Sequence, residues 1–211
     1  MRKIFLIILG ALALLSCQKQ SNPLSVETEV PAFVKNIGAI YQYAVTDTTL
    51  FIFHADSLQI SNDTATVAII GYTVLPDGRK AFIWQRTFKG ETDSILVTVS
   101  RDSVFFESRN GYFASDLALV FPLQNGKSWK YSFFDFSVAA LKRLRVPAGT
   151  FKNVFAVKQV VKRIGNTFGY NEYFIDPQVG ILKFLSRISS TMGETNHRIK
   201  WELINYVTIM E

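Results

Sequence analysis

Cysteine is almost absent from this chain of 211 residues, which holds one, at position 17. A disulfide framework is excluded, and so is a zinc or iron–sulfur centre built from several thiolates. Two histidines, His54 and His197, rule out a three-histidine metal site. Charge is sparse at 19% of residues, which excludes a disordered or acidic-tail protein. No apolar run reaches the roughly 20 residues that a membrane-spanning helix needs. Several motifs are also missing: G-x-S-x-G, the phosphate-binding P-loop, G-x-G-x-x-G, H-E-x-x-H and the EF-hand loop. No cofactor, metal or catalytic residue is therefore expected, and the chain does not read as an enzyme.

What is abundant is apolar and aromatic. Hydrophobic residues make up 48%, and there are 18 Phe, 8 Tyr and 3 Trp. That supplies the core of one domain without covalent staples.

Arg2 and Lys3 precede twelve apolar or small residues, Ile4 to Leu15. The run is too short to span a bilayer and fits the apolar region of a signal peptide. It ends in Leu14-Leu15-Ser16-Cys17, which resembles the lipobox of bacterial lipoproteins. The resemblance implies cleavage before Cys17 and acylation of that residue, giving a membrane anchor made of lipid chains. Gln18-Lys19-Gln20 lacks the Asp of an inner-membrane retention signal and the acidic run of a surface-export signal. The expected location is the outer membrane of the cell envelope, facing the periplasm. The expected organisation is a signal peptide over 1–16, a lipidated tether over 17–36 and a β domain over 37–211.

From Gly38 the hydrophobic period is two. Trp129, Tyr131 and Phe133 share one parity, as do Ile199, Trp201 and Leu203, and Phe155, Val157 and Val161. Turn signals divide the strands: Pro76-Asp77-Gly78, Lys89-Gly90, Arg101-Asp102, Asn110-Gly111, Asn125-Gly126, Gly165-Asn166 and Met192-Gly193-Glu194. The pattern predicts an all-β fold of ten to twelve strands in antiparallel meander order, as a single barrel-like, half-barrel or sandwich domain. A subdomain break near 108–116 is the alternative. Leu141–Val146 is read as strand, against a helical turn over Val138–Leu144 stopped before Pro147.

An ordered series lies in the second half: Phe121-Pro122-Leu123, Val146-Pro147-Ala148-Gly149-Thr150-Phe151, Asp176-Pro177 and Val179-Gly180-Ile181-Leu182-Lys183. Through its PAGTF and DPxVGIxK pieces it resembles a broad group of uncharacterised Bacteroidota lipoproteins, and more loosely the β-rich domains of unknown function that carry a PAGTF-like turn before a strand, over roughly residues 116–206. The resemblance implies an exported all-β lipoprotein and transfers no catalytic residue. The residues themselves read as architecture: Pro147 ends a strand, Gly149 permits positive φ, and Phe151 enters the core.

Charge is uneven along the chain, with a net of −3 over 18–125 and +7 over 126–211. Lys142, Arg143, Arg145, Lys158, Lys162 and Arg163 are the candidate basic surface, with Lys183, Arg187, Arg198 and Lys200 in later strands. Such a surface suits acidic lipid head groups, lipopolysaccharide or an acidic partner, and ordinary solvated strand faces are the alternative. The modest overall excess does not suggest nucleic acid. Phe82, Trp84, Trp129 and Trp201 are candidate lining residues for an apolar ligand in a curled sheet. The other reading is that they pack on each other. His54 and His197 read as a satisfied and a solvated histidine. The leading functional expectation is a membrane-anchored interaction or assembly module with an envelope protein partner. A lipid carrier is the second, and a hydrolase using His54 the third.

Overall fold

The computed structural model describes residues 30–51, 57–108, 113–114, 116–164, 167–190 and 195–209. The signal peptide, Cys17 and the tether up to residue 29 lie outside them, as does His54. So do the turns at Asn110-Gly111, Gly165-Asn166 and Met192-Gly193-Glu194.

A 3-10 turn at Ala32–Val34 precedes fourteen strands among the described residues. They are β1 Ile40–Phe51, β2 Ser57–Val74, β3 Lys80–Phe88, β4 Glu91–Val99, β5 Ser103–Ser108, β6 Leu117–Val120 and β7 Ser128–Tyr131. There follow β8 Phe134–Leu141, β9 Leu144–Val146, β10 Gly149–Phe151, β11 Val154–Ile164, β12 Thr167–Asp176, β13 Gly180–Ser190 and β14 Thr195–Val207. Twelve of them form one antiparallel sheet in the order β6-β5-β4-β3-β2-β1-β14-β13-β12-β11-β8-β7, and β9 and β10 form a separate hairpin. The fold is all-β, a meander nearly closed into a barrel. Its ends approach one another: Phe105 of β5 meets Tyr131 beside it with ring centroids 4.9 Å apart. The Lys127 ammonium bonds the carbonyls of Val120 and Pro122 at 2.8 and 3.0 Å.

The period of two explains the curl. On β1, Tyr41, Tyr43 and Val45 are buried; on β14, Ile199, Trp201 and Leu203 are. Alternate residues face solvent, so one face of the sheet closes on itself and removes its apolar side chains from water. Trp201 sits centrally, with ring centroids 5.8 Å from Tyr43, 5.3 Å from Phe88 and 4.8 Å from Phe113. Lys89 and Gly90, both with positive φ, make the two-residue turn between β3 and β4. Asp176 builds the β12–β13 turn by accepting from the backbone N–H groups of Gln178 (2.8 Å) and Val179 (3.3 Å).

Three sequence expectations change. The folded body includes residues ahead of 37: Val30, Phe33 and Val34 are buried in the core, and the Trp84 indole donates to the Val34 carbonyl at 3.1 Å. Phe133 does not join Trp129 and Tyr131 on an inner face. Tyr131 pairs Phe134, so Ser132 and Phe133 form a tight turn and Phe133 is 70% exposed. The segment Leu141–Val146 is extended, but it breaks at Lys142-Arg143, where β8 ends and β9 begins. On either side of 108–116, β5 pairs β6 within the same sheet, and Phe113 lies in the common core beside Tyr43 and Phe184.

Candidate functional site

Four strands change character at the same level of the inner face. Toward the end of the sheet carrying the β3–β4 turn, the inner column of β1 runs Tyr41, Tyr43, Val45, Asp47. That of β3 runs Phe82, Trp84, Arg86, Phe88; β4 contributes Asp93 beyond Ile95, and β14 contributes His197 beyond Ile199. The apolar core therefore ends in a polar mouth, a cleft of about 530 Å³ lined by Asp47, Arg86, Phe88, Asp93, His197 and the neighbouring turn.

Within it, Asp47 faces His197 Nε2 at 2.7 Å and Lys89 Nζ at 3.4 Å. Arg86 forks onto Asp93, with Nε to Oδ1 at 2.9 Å and Nη2 to Oδ2. The Arg86 side chain is only 5% exposed, and its buried Nη1 has no hydrogen-bond partner. A bidentate carboxylate fork offsets the cost of burying a guanidinium. The charges in the mouth are thus largely paired with each other. An Asp–His pair is one element of acid–base chemistry. Among the described residues, no group of three or more His, Cys, Asp or Glu is placed to hold a metal.

A second polar cluster lies deeper. Gln159 is fully buried; it donates to the Asp116 carbonyl (3.1 Å) and accepts from Asn171 (3.0 Å) and the Tyr173 hydroxyl (3.3 Å). Burial, reinforced by nearby Asp116, raises the Tyr173 hydroxyl far above its ordinary pKa. This cluster ties β11 and β12 to the segment entering β6. It works as an internal brace.

The outer face of β11–β14 is the third feature. Cross-strand register places Lys158 opposite Glu172, Tyr170 opposite Arg187, Phe174 opposite Lys183, Leu185 opposite Lys200 and Arg187 opposite Arg198. Lys158 lies 4.4 Å from the Tyr170 ring centroid, and the Arg187 guanidinium 5.7 Å. Glu202 bridges Lys183 (2.7 Å) and Lys200 (2.9 Å). Burial opposes its ionisation, but bonds from the two ammonium groups win and hold its carboxyl below the usual range. Arg187 and Arg198 are both exposed, and neither has a carboxylate within salt-bridge distance among the described residues. Two like charges directly opposite on antiparallel strands repel one another and destabilise the pair.

Trp84 and Trp201 are central core residues, Phe82 is buried near Tyr72, and Trp129 stacks on Phe136 at 5.3 Å. The mouth cleft is lined by none of these four. Lys142, Arg143 and Arg145 are exposed at the β8–β9 break, apart from Lys158 on β11. The side chains of Lys162 and Arg163 lie outside the described residues. The mouth could not be read from residue spacing, because Asp47 and His197 are 150 positions apart. Two charged residues at inner-face parity, Arg86 after Trp84 and Asp93 before Ile95, were the available signal.

The chain matches no protein-family model. No curated protein matches it either. Among solved structures it is similar to a DUF1329 family protein from Desulfovibrio piger, at 9% identity over 83% of this chain and 87% of that one, with a TM-score of 0.26. At that distance the likeness says nothing about which residues act.

Proposed function

We propose that this chain is a membrane-anchored envelope lipoprotein, a non-enzymatic β module that works through its outer surface. The observation that carries this reading is the filled interior. Trp201, Tyr43, Phe88, Phe113 and Phe184 contact one another across the inside of the sheet, and Trp84 fills the next layer with Phe33, Tyr41 and Phe106. A β body packed in this way presents strand faces and rims, rather than a hollow, to other molecules. The Leu-Leu-Ser-Cys sequence supports an acylated Cys17 and an outer-membrane location facing the periplasm. The carrier alternative has no observation of its own, since its four aromatic residues are occupied with protein partners.

Photo-crosslinking groups placed on exposed strand positions of the chain, expressed in its host, test the reading. Crosslinks from the outer face to an envelope component, in membrane fractions, are the expected result. Recovery of the chain in the soluble fraction with no crosslink from any outer position contradicts it.

A further inference from the structure

We infer that the outer face of β11–β14, flanked by β1 and β2, rests on an anionic phospholipid surface. This rests on the membrane-anchored reading above and adds which face of the body meets the bilayer. Three observations carry it. Lys158 of β11, Lys183 and Arg187 of β13, and Arg198 and Lys200 of β14 come onto one face, where the register places Glu172 and Glu202 as the acids among the described residues of β11–β14. The exposed Arg187–Arg198 pair sits directly cross-strand with no carboxylate at salt-bridge distance among the described residues, an arrangement that anions resting on the face would relieve.

Exposed apolar side chains flank those cations on the same face. Val160 and Phe168 are 37% and 46% exposed; Leu58 and Ile60 are 56% and 58% exposed on β2, which pairs with the β1 residues beside Arg198. Cations with apolar neighbours at one level match a head-group region, where phosphates lie next to acyl chains. An acidic protein surface would satisfy the cations and leave the apolar flank uncovered. The anchor permits this orientation. Twelve residues separate Cys17 from Val30. Extended, they reach about 40 Å, close to the length of a twelve-residue strand such as β1. The body is therefore free to lie on its side.

The test uses the chain extracted from its host membranes, with its intact mass read first. It is reconstituted in vesicles of phosphatidylcholine alone or of phosphatidylcholine with phosphatidylglycerol, and lysines are acetylated in brief pulses. Lys158, Lys183 and Lys200 are expected to be several-fold protected in the anionic vesicles only, with Lys35 and Lys80 unchanged, and the protection is lost in high salt. Each cation at an anionic surface contributes roughly fivefold in binding. In the unacylated Cys17→Ser chain, the double substitution Arg187→Ala and Arg198→Ala should then weaken sedimentation with anionic vesicles roughly 25-fold, while Lys80→Ala leaves it unchanged. Equal labelling in both vesicle types overturns the inference. Protection of the face only on adding envelope proteins also overturns it, and assigns the face to a protein. A mass without acyl chains refutes the anchor separately, because sedimentation of the unacylated chain still reads the face.

Discussion

Trp84 and Trp201 provide a matched pair for testing what holds the interior together. Both are fully buried, at 1% and 0% exposure. Trp84 Nε1 donates to the Val34 carbonyl at 3.1 Å, whereas Trp201 Nε1 is buried without a partner. Trp→Phe removes the same atoms at each site. The lost volume, roughly 40 Å³, costs about 1 kcal/mol in either case, at ~24 cal/mol per Å³ of cavity. At position 84 the substitution also strips the Val34 carbonyl of its donor, which adds about 1–3 kcal/mol. At position 201 it deletes an unsatisfied N–H, which offsets part of the cavity cost. Trp84→Phe should therefore be the more destabilised variant by about 2 kcal/mol or more. With a urea slope of about 1–3 kcal/mol per molar, the two midpoints separate by roughly 1 M. Urea unfolding followed by far-ultraviolet circular dichroism reads this directly. If Trp201→Phe unfolds at the same urea concentration as Trp84→Phe, or earlier, the reasoning about the two indoles is refuted.

Other predictions follow from the same structure. Burial pushes the Tyr41 hydroxyl up to about 12, aided by Tyr206, and raises Tyr43 and Tyr173 strongly as well. In the unfolded chain these groups ionise near pH 10. Stability should be fully present below that pH and fall above it, by about 1.4 kcal/mol per pH unit for each buried tyrosine. Urea midpoints that stay constant between pH 9 and 11 would contradict this. A Cβ on Gly169 would run into the Arg187 carbonyl oxygen on β13. Gly169→Ala should cost about 1–3 kcal/mol and speed amide exchange along β12–β13; an unchanged midpoint would show that the strands are not so close. Gln159→Leu leaves Asn171 and the Tyr173 hydroxyl without their shared acceptor, and about 2–4 kcal/mol of stability should be lost on denaturant unfolding. A neutral effect would mean that the brace does not hold β6 to β11 and β12.

The strand pattern was legible where alternation had no competitor. Ile199, Trp201 and Leu203 turned inward as their spacing required, and Asp77-Gly78 and Lys89-Gly90 turned the chain where backbone chemistry favours it. Phe133 misled because Ser132-Phe133 carries no glycine, asparagine or proline, and its parity continued that of Trp129 and Tyr131. Val30–Val34 read as tether because five residues are too few to show a period; only the hydrogen bond from Trp84 and the burial of Phe33 fix them in the core. The polar mouth was illegible for a different reason. Periodicity reports which face a residue is on and nothing about its partner across the sheet, so Asp47 and His197 gave no sign of each other. The basic outer face was half legible: the cations were countable, but their alignment depends on the register of β11 through β14.

Feeding the host a clickable fatty acid reads the proposed lipid anchor at Cys17 itself. Label on the purified chain is expected, with an N-terminus at Cys17 and loss of both label and membrane retention in Cys17→Ser. An unlabelled chain that begins elsewhere or leaves the membrane freely would contradict it.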